Sequence, residues 1–524
     1  MKIFIIRPAL AIALTVGGAL HAQAQSPYVG EALNYSRLQF GGPARTQGIA
    51  GANVALGADF GNLTSNPAGL GLYQKSEFHF APGLGLGSAD ASGLGTTRTA
   101  NKNSFHIGSV GAVFTNRRPD DDTESGWRGG SFALGFTRVA DFNTSFSYSG
   151  QVADNRSFFQ RLREPGNYSN VGSADYQNTV SNIVSQNNNG AGPYTTLDGL
   201  AYGTFLTDIA SNRAQGLDTV ITRLRSGPIT QAETVTTSGS VSQFDLGYGG
   251  SYRDRLYIGG AIGIVSSNRT QTRTFTESEN APQTRFVSFR LADNVKTTGT
   301  GINARLGLIY RATDIVRFGA SIQTPTFFRL NETSQMSLTS VFTPFAQDNP
   351  PNFGSTASLA PGEYSYNLTT PFRTSGGVAI TAGKFGFITG DVEYVGYQQA
   401  RLSSALDDNS DADGIAADNQ TISQAYKGTI NLRVGAEGRF DIFRVRLGYA
   451  NYGDPYRSST TSRAQQFYTL GAGIRQNNFF IDAAGVYTTF NQQYSPYTIA
   501  SGQQPLINVS NNRYTTTITA GMTF

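Results

Sequence analysis

Hydrophobic and polar residues alternate one by one along many stretches of this chain. Ile430, Leu432 and Val434 fall on one side of an extended chain, and Arg433 falls on the other. A period of two residues predicts a β-strand with one apolar and one polar face. Asp441 then forms a tight turn into a second alternating stretch, which predicts an antiparallel hairpin.

About fourteen stretches alternate in this way, and bacterial outer-membrane barrels have an even number of strands. Several stretches exceed the ~9 to 11 residues that a tilted strand needs to cross a bilayer. Short and long connections also alternate, as they do between the two rims of such barrels. The sequence therefore predicts an all-β fold, a transmembrane antiparallel β-barrel of about fourteen strands, near residues 76–90, 103–116, 130–150, 239–252, 255–275, 297–311, 315–338, 364–382, 385–404, 427–440, 442–453, 464–476, 478–493 and 512–524.

The last stretch places Tyr514, Ile518 and the terminal Phe524 on one face. An aromatic final residue on an alternating strand resembles the C-terminal signal by which the barrel assembly machinery recognises outer-membrane proteins. Closure into a barrel would also leave no strand edge with unpaired backbone groups facing lipid. We expect this machinery to be a partner during biogenesis, and the outer membrane and its lipid to be the destination.

Residues 1–24 have the pattern of a secretory signal peptide. Lys2 and Arg7 precede an apolar stretch from Ala9 to Leu20, and small residues at Ala22 and Ala24 form a cleavage site. A membrane anchor is the alternative, but the apolar stretch is too short to span a bilayer. We expect the mature chain to begin near Gln25.

Composition narrows the class of protein further. The 524 residues include 61 Gly and no Cys, so disulfides, thiolate metal sites and cysteine nucleophiles are excluded. No apolar run reaches the ~18 residues of a membrane-spanning helix. The formal net charge is only +4, which is too weak to predict a nucleic-acid partner.

Residues 41–71 read GGPARTQGIAGANVALGADFGNLTSNPAGLG, and their small side chains suit close packing in a narrow lumen. The pattern Gly-x-Ala-Arg-x-x-x-x-Ala-Gly-Ala precedes an Ala-x-Asp step and then Asn66, Pro67 and Ala68. Here the chain resembles the FadL-type family of outer-membrane transporters for long-chain fatty acids and aromatic hydrocarbons. With the strand count and Phe524, the resemblance spans essentially the whole mature chain.

The resemblance implies a hatch, residues 25–75, inside a barrel of residues 76–524, with Asn66, Pro67 and Ala68 at their junction. Pro67 fixes its own φ and keeps Asn66 out of the helical region, so this step is a stiff corner. Such a corner could take part in gating, or it could only anchor the hatch. The family is typically monomeric, and we expect the same here.

In that family a hydrophobic ligand is held by the loops, passes to a lumenal site beside the hatch and leaves sideways at a kinked third strand, with no energy source. Asp141, Phe142 and Asn143 interrupt the alternation of the third stretch. These residues could form the kink, because a bulge breaks a ladder locally. An ordinary bulge above the membrane is the alternative.

Residues 154–230 depart from the alternating pattern. The apolar residues here have spacings nearer to those of a helix. They are Leu197, Leu200 and Ile209, followed by Leu217, Val220 and Ile221. We expect a partly helical extracellular loop between the third and fourth strands. This loop could capture ligand or only cover the barrel mouth.

An acidic stretch beyond residue 406 offers a calcium hypothesis. Asn409, Asp411, Asp413 and Asp418 space oxygen atoms as calcium loops do. The EF-hand pattern requires Glu twelve positions along, where this chain has Gln420. A solvated loop is therefore the alternative, and we predict no other cofactor.

Enzymatic activity is not expected. His79 and His106 are the two histidines of the mature chain, and no hydrolase motif surrounds them in the sequence. The function that the sequence favours is passive outer-membrane transport of hydrophobic small molecules. A general diffusion porin and a surface adhesin or receptor share the same fold and are the alternatives.

Overall fold

The computed structural model describes residues 27–119, 125–188, 194–212, 215–222, 229–279, 285–343, 354–406, 410–458 and 461–524. The predicted signal peptide, residues 1–24, and the predicted start of the mature chain at Gln25 lie outside these ranges.

One antiparallel sheet of fourteen strands closes on itself, because the first strand pairs both with the second and with the last. The predicted barrel is thus confirmed. Four strands consist of two or three segments. The strands are β1 Glu77–Gly93, β2 Thr96–Arg117, β3 Trp127–Asp141 and Thr144–Val152, β4 Ile229–Tyr252, β5 Leu256–Glu279, β6 Phe286–Arg311, β7 Val316–Gln323 and Phe327–Phe342, β8 Gly354–Ser358, Gly362–Thr369 and Arg373–Thr381, β9 Gly386–Gly396 and Arg401–Ser404, β10 Gly428–Phe440, β11 Phe443–Tyr452, β12 Gln465–Gln476, β13 Phe479–Tyr494 and β14 Ile507–Thr523.

Apolar side chains cover the outer face of the barrel. Leu432 and Val434 on β10 are 47% and 52% exposed, whereas Arg433 between them is buried on the inner face. A row of tyrosines crosses β11 to β14, with ring centroids 5.3, 6.3 and 5.1 Å apart from Tyr449 through Tyr468 and Tyr487 to Tyr514. At ~3.3 Å per residue, the strand from Tyr514 to Phe524 covers about 33 Å, which at the usual tilt spans a bilayer core.

The two rims differ in their connections. Ser76 and Phe524 exchange backbone hydrogen bonds of 3.0 Å at the rim that carries the short turns 253–255, 441–442 and 477–478. The long connections 153–228, 405–427 and 495–506 lie at the opposite rim. In outer-membrane barrels the short-turn rim is periplasmic and the long-loop rim is extracellular.

The helices lie inside the barrel or above its extracellular rim. No helix in the described ranges is long and apolar enough to cross a membrane. The N-terminal segment, residues 27–73, contains α1 to α3 and a 3₁₀ turn, and the long connections contain α4 to α7. Their bounds are α1 Pro27–Ser36, α2 Ala44–Gly48, α3 Asn62–Ser65, the 3₁₀ turn Pro67–Leu72, α4 Phe158–Arg163, α5 Ala174–Asn188, α6 Leu197–Gly203 and α7 Ala412–Ala425, with further 3₁₀ turns Asp154–Arg156, Pro165–Asn167, Gly383–Phe385 and Tyr397–Gln399.

The connection between β3 and β4 is only partly helical, as predicted. Leu197 and Leu200 lie on α6, in agreement with their helical spacing. The helical prediction is wrong for Ile209, Leu217 and Val220, which lie in a hairpin of strands Thr207–Asn212 and Leu217–Thr222. β-Branched residues favour an extended chain, and that preference outweighs the spacing here.

Glycines on neighbouring strands let the N-terminal segment lie directly against the barrel wall. Gly249, Gly259 and Gly307 are register partners across β4, β5 and β6. A Cβ atom added to any of them would come within 3.0 Å of the segment, at Pro67 for the first two and at Asn66 for the third. The other glycines with such close approaches to the segment are Gly111, Gly135, Gly247, Gly319, Gly435 and Gly448.

Gly259→Ala is therefore expected to displace the N-terminal segment, because the new methyl group would overlap the Pro67 carbonyl group. Overpacking of this kind costs ~1–3 kcal/mol. The measurement is limited proteolysis of the folded barrel in detergent, in which the variant should be cut within residues 27–73 at least several-fold faster than the parent protein.

The matched control is Gly260→Ala, one residue along, where the nearest atom to a new Cβ is 3.4 Å away. Equal cleavage rates in the two variants would contradict a direct contact between Gly259 and Pro67.

Candidate functional site

The corner at Asn66, Pro67 and Ala68 fixes the end of the N-terminal segment. Asn66 has an extended backbone, and its side-chain oxygen accepts a hydrogen bond of 3.1 Å from the Ala68 amide, which caps the following 3₁₀ turn. Its side-chain nitrogen donates to the carbonyl oxygens of Val54 at 2.7 Å and of Leu308 on β6 at 3.1 Å. All three corner residues are buried. The corner therefore joins two parts of the segment to each other and to the wall.

Ion pairs hold the middle of the segment. Arg45 lies 3.4 Å from Asp59 within the segment and 3.7 Å from Glu437 on β10. Arg446 on β11 is almost completely buried and pairs with Glu437 at 2.7 Å and with Asp482 at 2.6 Å. Buried charges persist only when they are paired and hydrogen-bonded, so this network favours one position of the segment.

Strand β3 is interrupted at Phe142 and Asn143. The Asn143 amide donates to a carboxylate oxygen of Asp141 at 2.7 Å, and the Phe142 amide donates to the Gly239 carbonyl at 3.0 Å. Asp141 also pairs with Arg138 on its own strand at 2.9 Å and with Arg513 on β14 at 2.8 Å. The interruption is thus fixed by local hydrogen bonds and by one contact from a distant strand.

The ladder between β2 and β3 covers only their periplasmic halves. It joins Ser109–Arg117 to Gly129–Thr137, and the extracellular segment of β3 pairs with β4 alone in the described residues. The two strands meet again at the tip, where the Thr96 hydroxyl group donates to the Ser149 carbonyl. Between these points no ladder hydrogen bonds join β2 and β3 in the described residues; we call this unpaired stretch the opening, and Phe105 beside it is 77% exposed.

A cavity of about 340 Å³ lies inside this opening. Its walls come from the N-terminal segment, the interrupted part of β3, and strands β2, β4, β5, β12, β13 and β14. Apolar and polar groups both line it, the apolar ones being Leu33, Phe40, Val139, Ala140, Phe142, Phe146, Val235, Phe467, Val486 and Phe490, and the charged ones Arg37, Arg138, Asp141, Arg269, Arg463 and Arg513. The volume falls in the ~300–1,000 Å³ range of small-molecule sites.

The cavity ends at the N-terminal segment. Phe40 and Gly41 line both this cavity and a smaller one of about 70 Å³ beside it. A third cavity of about 480 Å³, which we call the periplasmic vestibule, opens at the short-turn rim beneath the segment and is lined by Arg45, Leu56, Gly57, Ala58, Leu72, Gln74, Arg117, Asp254, Tyr257, Arg311, Asp314, Arg317, Thr381, Gly383, Gly386, Phe387 and Arg439.

The predicted calcium residues are not a single loop. Asp411 directly precedes α7, and Asp413 and Asp418 lie on that helix, five positions apart and on different faces. Asn409 lies outside the described residues. Asp411 accepts a hydrogen bond of 2.6 Å from the Tyr364 hydroxyl group. Among the described residues, no three acidic or histidine side chains gather as metal ligands.

His79 has a serine neighbour that the sequence analysis missed. Its Nε2 lies 3.0 Å from the Ser109 hydroxyl group, and its Nδ1 lies 3.9 Å from a Glu77 carboxylate oxygen. The second distance is too long for a hydrogen bond. His79 and Ser109 are fully buried, and the Phe60 ring covers the imidazole at a centroid distance of 4.5 Å. Through this ring contact the group packs the N-terminal segment against the wall.

The sequence analysis also missed helix α1 and its role in the cavity. Leu33 and Arg37 line the cavity from this helix and the residue after it. Glu31 on the same helix pairs with Arg269 on β5 at 2.6 Å. Burial raises the pKa of Glu31, and Arg269 opposes that effect. No repeat of apolar residues marks α1 in the sequence, because nearly all of its faces are buried.

Comparison with known proteins bears on the fold. A Pseudomonas aeruginosa FadL homologue matches 93% of this chain and 98% of its own, with a TM-score of 0.55 and 11% identity. The Pseudomonas putida toluene transporter TodX matches 93% and 99% of the two chains, with a TM-score of 0.49 and 12% identity. The Ralstonia pickettii toluene transporter TbuX also matches 93% of this chain and 99% of its own, with a TM-score of 0.48 and 15% identity.

No family model and no curated protein matches the chain. The identities are low, so the similarity concerns the fold and does not by itself carry function. This chain therefore has the fold of an outer-membrane FadL homologue, a fourteen-stranded barrel with its N-terminal segment inside the lumen.

Proposed function

We propose that this barrel carries hydrophobic small molecules passively into the cell envelope, with a ligand site in the 340 Å³ cavity and a lateral exit between β2 and β3. The observation that carries the proposal is that this cavity is bounded below by the N-terminal segment and borders the unpaired opening in the wall. The FadL homologue with a similar fold supports it.

The axial route is unsuitable for an apolar solute. The N-terminal segment lies across the lumen, held by the Asn66 hydrogen bonds and the Arg45 ion pairs. Beyond it, the periplasmic vestibule is lined by five arginines and two aspartates. A hydrocarbon would lose favourable contacts on entering such a charged, water-accessible space, because each CH₂ group gains ~0.8 kcal/mol on leaving water.

The lateral route keeps an apolar ligand out of water. The cavity presents Phe142 within the β3 interruption and Phe146 just beyond it, and Phe105 extends outward from β2 toward lipid. Arg513 reaches from β14, past the inner faces of β1 and β2, to Asp141 on β3 and therefore bridges the opening from within. We infer that separation of this pair widens the exit.

Candidate ligands are long-chain fatty acids and aromatic hydrocarbons. The cavity offers an apolar part for a tail or ring and guanidinium groups for a polar end. Arg138 and Arg513 both pair with the single carboxylate of Asp141. These three side chains together therefore carry one net positive charge. Helices α4 to α6 and the acidic α7 region, including a calcium role for Asn409, Asp411, Asp413 and Asp418, are not needed for this proposal.

Ion conductance separates this proposal from a general diffusion porin. The parent protein in a planar bilayer should show no steady open pore, whereas Asn66→Ala should show frequent openings. This variant removes the side-chain donor of Asn66 from the Val54 and Leu308 carbonyl oxygens. Each buried hydrogen-bonding group left without a partner costs ~1–3 kcal/mol. Thr64→Ala is the control, because the Thr64 hydroxyl group bonds only within the segment. Steady conductance of the parent protein would favour the porin.

A reversible cross-link tests the lateral exit. The chain has no cysteine, so Asp141→Cys with Arg513→Cys gives a unique pair that a disulfide-containing bifunctional thiol reagent can bridge. Uptake of labelled oleate or toluene by cells should fall at least tenfold after bridging and return after reduction.

The control for the cross-link is Thr489→Cys with Asn512→Cys, which are register partners in the continuous ladder of β13 and β14. Bridging this pair should leave uptake unchanged. Normal uptake through the bridged opening would show that ligand leaves by another route.

Co-purification tests the ligand site. Mass spectrometry of the parent protein extracted in mild detergent should reveal a recurring fatty acid or aromatic compound in near-stoichiometric amount. Val235→Trp should abolish it, because Val235 lines the cavity and is buried. Val434→Trp, on the lipid-facing surface, should retain it. Equal ligand content in both variants would place the site elsewhere.

A further inference from the structure

The periplasmic vestibule is lined by an excess of positively charged side chains that have no part in the proposed transport route. Arg45, Arg117, Arg311, Arg317 and Arg439 line it, against Asp254 and Asp314. A passage for apolar ligands does not need such a lining. Its volume is about 480 Å³.

Four of the five arginines have a carboxylate partner. Arg117 lies 2.7 Å from Asp254, and Arg311 lies 2.9 Å from Asp314. Arg439 lies 2.8 Å from Glu437, which also lies near Arg45. Arg317 has no carboxylate within 4.0 Å among the described residues.

Arg317 is therefore the cation with free binding capacity. One of its terminal nitrogens donates to the Leu56 carbonyl of the N-terminal segment at 2.8 Å. Its Nε atom is buried and has no hydrogen-bond partner in the described part of the chain, and the same holds for the Nε atom of Arg311. Arg311 and Arg439 both repel Arg317 electrostatically. A guanidinium group has five donors, and within the described residues one of those of Arg317 forms a hydrogen bond.

We propose that the periplasmic vestibule is a binding site for a small soluble anion with a phosphate or carboxylate group, centred on Arg317 with Arg311 and Arg439 beside it. Guanidinium groups bind both kinds of oxyanion through paired N–H donors. The site is open to the periplasmic rim and contains turn residues such as Asp314 and Gly383, so a soluble anion can reach it without crossing the N-terminal segment.

A bound anion would also tie the N-terminal segment to the wall. Arg317 already contacts Leu56, and Arg45 of the segment lines the same vestibule. Neutralising the repulsion among the arginines would stabilise this arrangement. The site is independent of the transport proposal, since it neither lines the upper cavity nor contacts the opening between β2 and β3.

The test is isothermal titration calorimetry of the purified full-length mature barrel in detergent with inorganic phosphate, at constant ionic strength. The parent protein should bind phosphate saturably at one site. Arg317→Gln should weaken binding about tenfold or more, because charge-assisted hydrogen bonds are the stronger class. Arg311→Gln should weaken it as well, and provides a second variant if the first does not fold.

Arg444→Gln is the matched control. Arg444 carries the same charge at the same rim, but it bonds to the Asp441 and Phe443 carbonyl oxygens and does not line the vestibule. It should bind phosphate as the parent protein does. A parallel titration with succinate establishes whether a carboxylate serves equally well.

Saturable binding of phosphate, of succinate or of both, weakened in the Arg317 and Arg311 variants alone, supports the proposal. Binding of neither anion, or the same affinity in Arg317→Gln, Arg311→Gln and Arg444→Gln, overturns it. Neither result depends on whether the barrel transports hydrophobic molecules.

Discussion

The close contact between the N-terminal segment and the barrel wall is the constraint from which the other features of the lumen follow. The segment can lie against the backbone of the wall only where the wall has no side chains, and Gly249, Gly259 and Gly307 provide that surface across three neighbouring strands. The rigid step at Pro67 then lies against backbone rather than against mobile side chains. The segment divides the lumen as a consequence, with an amphipathic cavity above it and a charged vestibule below it.

Charge has a different role on the two sides of this segment. Beside the segment, the wall residues Arg446, Glu437 and Asp482 are buried and mutually paired, and Glu437 also lies 3.7 Å from Arg45 of the segment. Displacement of the segment would separate Arg45 from Glu437, so this contact favours the resting position. At the β3 interruption, Arg138 and Arg513 share the one carboxylate of Asp141. The ion pairs of Asp141 with Arg138 and Arg513 are less buried than those of Arg446. We therefore expect them to be the weaker of the two sets.

Much of the barrel could be predicted from the sequence, because a period of two identifies both the strands and the faces of residues such as Leu432 and Arg433. The interior could not be predicted in the same way. The period of two places Gly259 inward and Gly260 outward, but only the structure shows that the segment lies directly against Gly259. The contacts of Asp141 with Arg513 and of His79 with Ser109 likewise depend on register and closure. Val220 is predicted to be helical from its spacing to neighbouring apolar residues, but it lies in a strand. A short run of apolar residues does not decide between a helix and a strand until the pairing partner is known.

The opening between β2 and β3 must satisfy its own backbone. Lipid cannot bond to free N–H and C=O groups, so unpaired strand edges at membrane depth require a polar or water-accessible neighbour. Here the unpaired edge lies beside a cavity that contains Arg138, Arg513 and His106 as well as apolar side chains. The polar groups give the exposed edge a polar neighbour and the apolar groups suit the proposed ligand, so the mixed lining does not require every charged residue to contact the ligand. The polar end of the proposed ligand would then compete with water and backbone at this edge, whereas its apolar part would meet side chains.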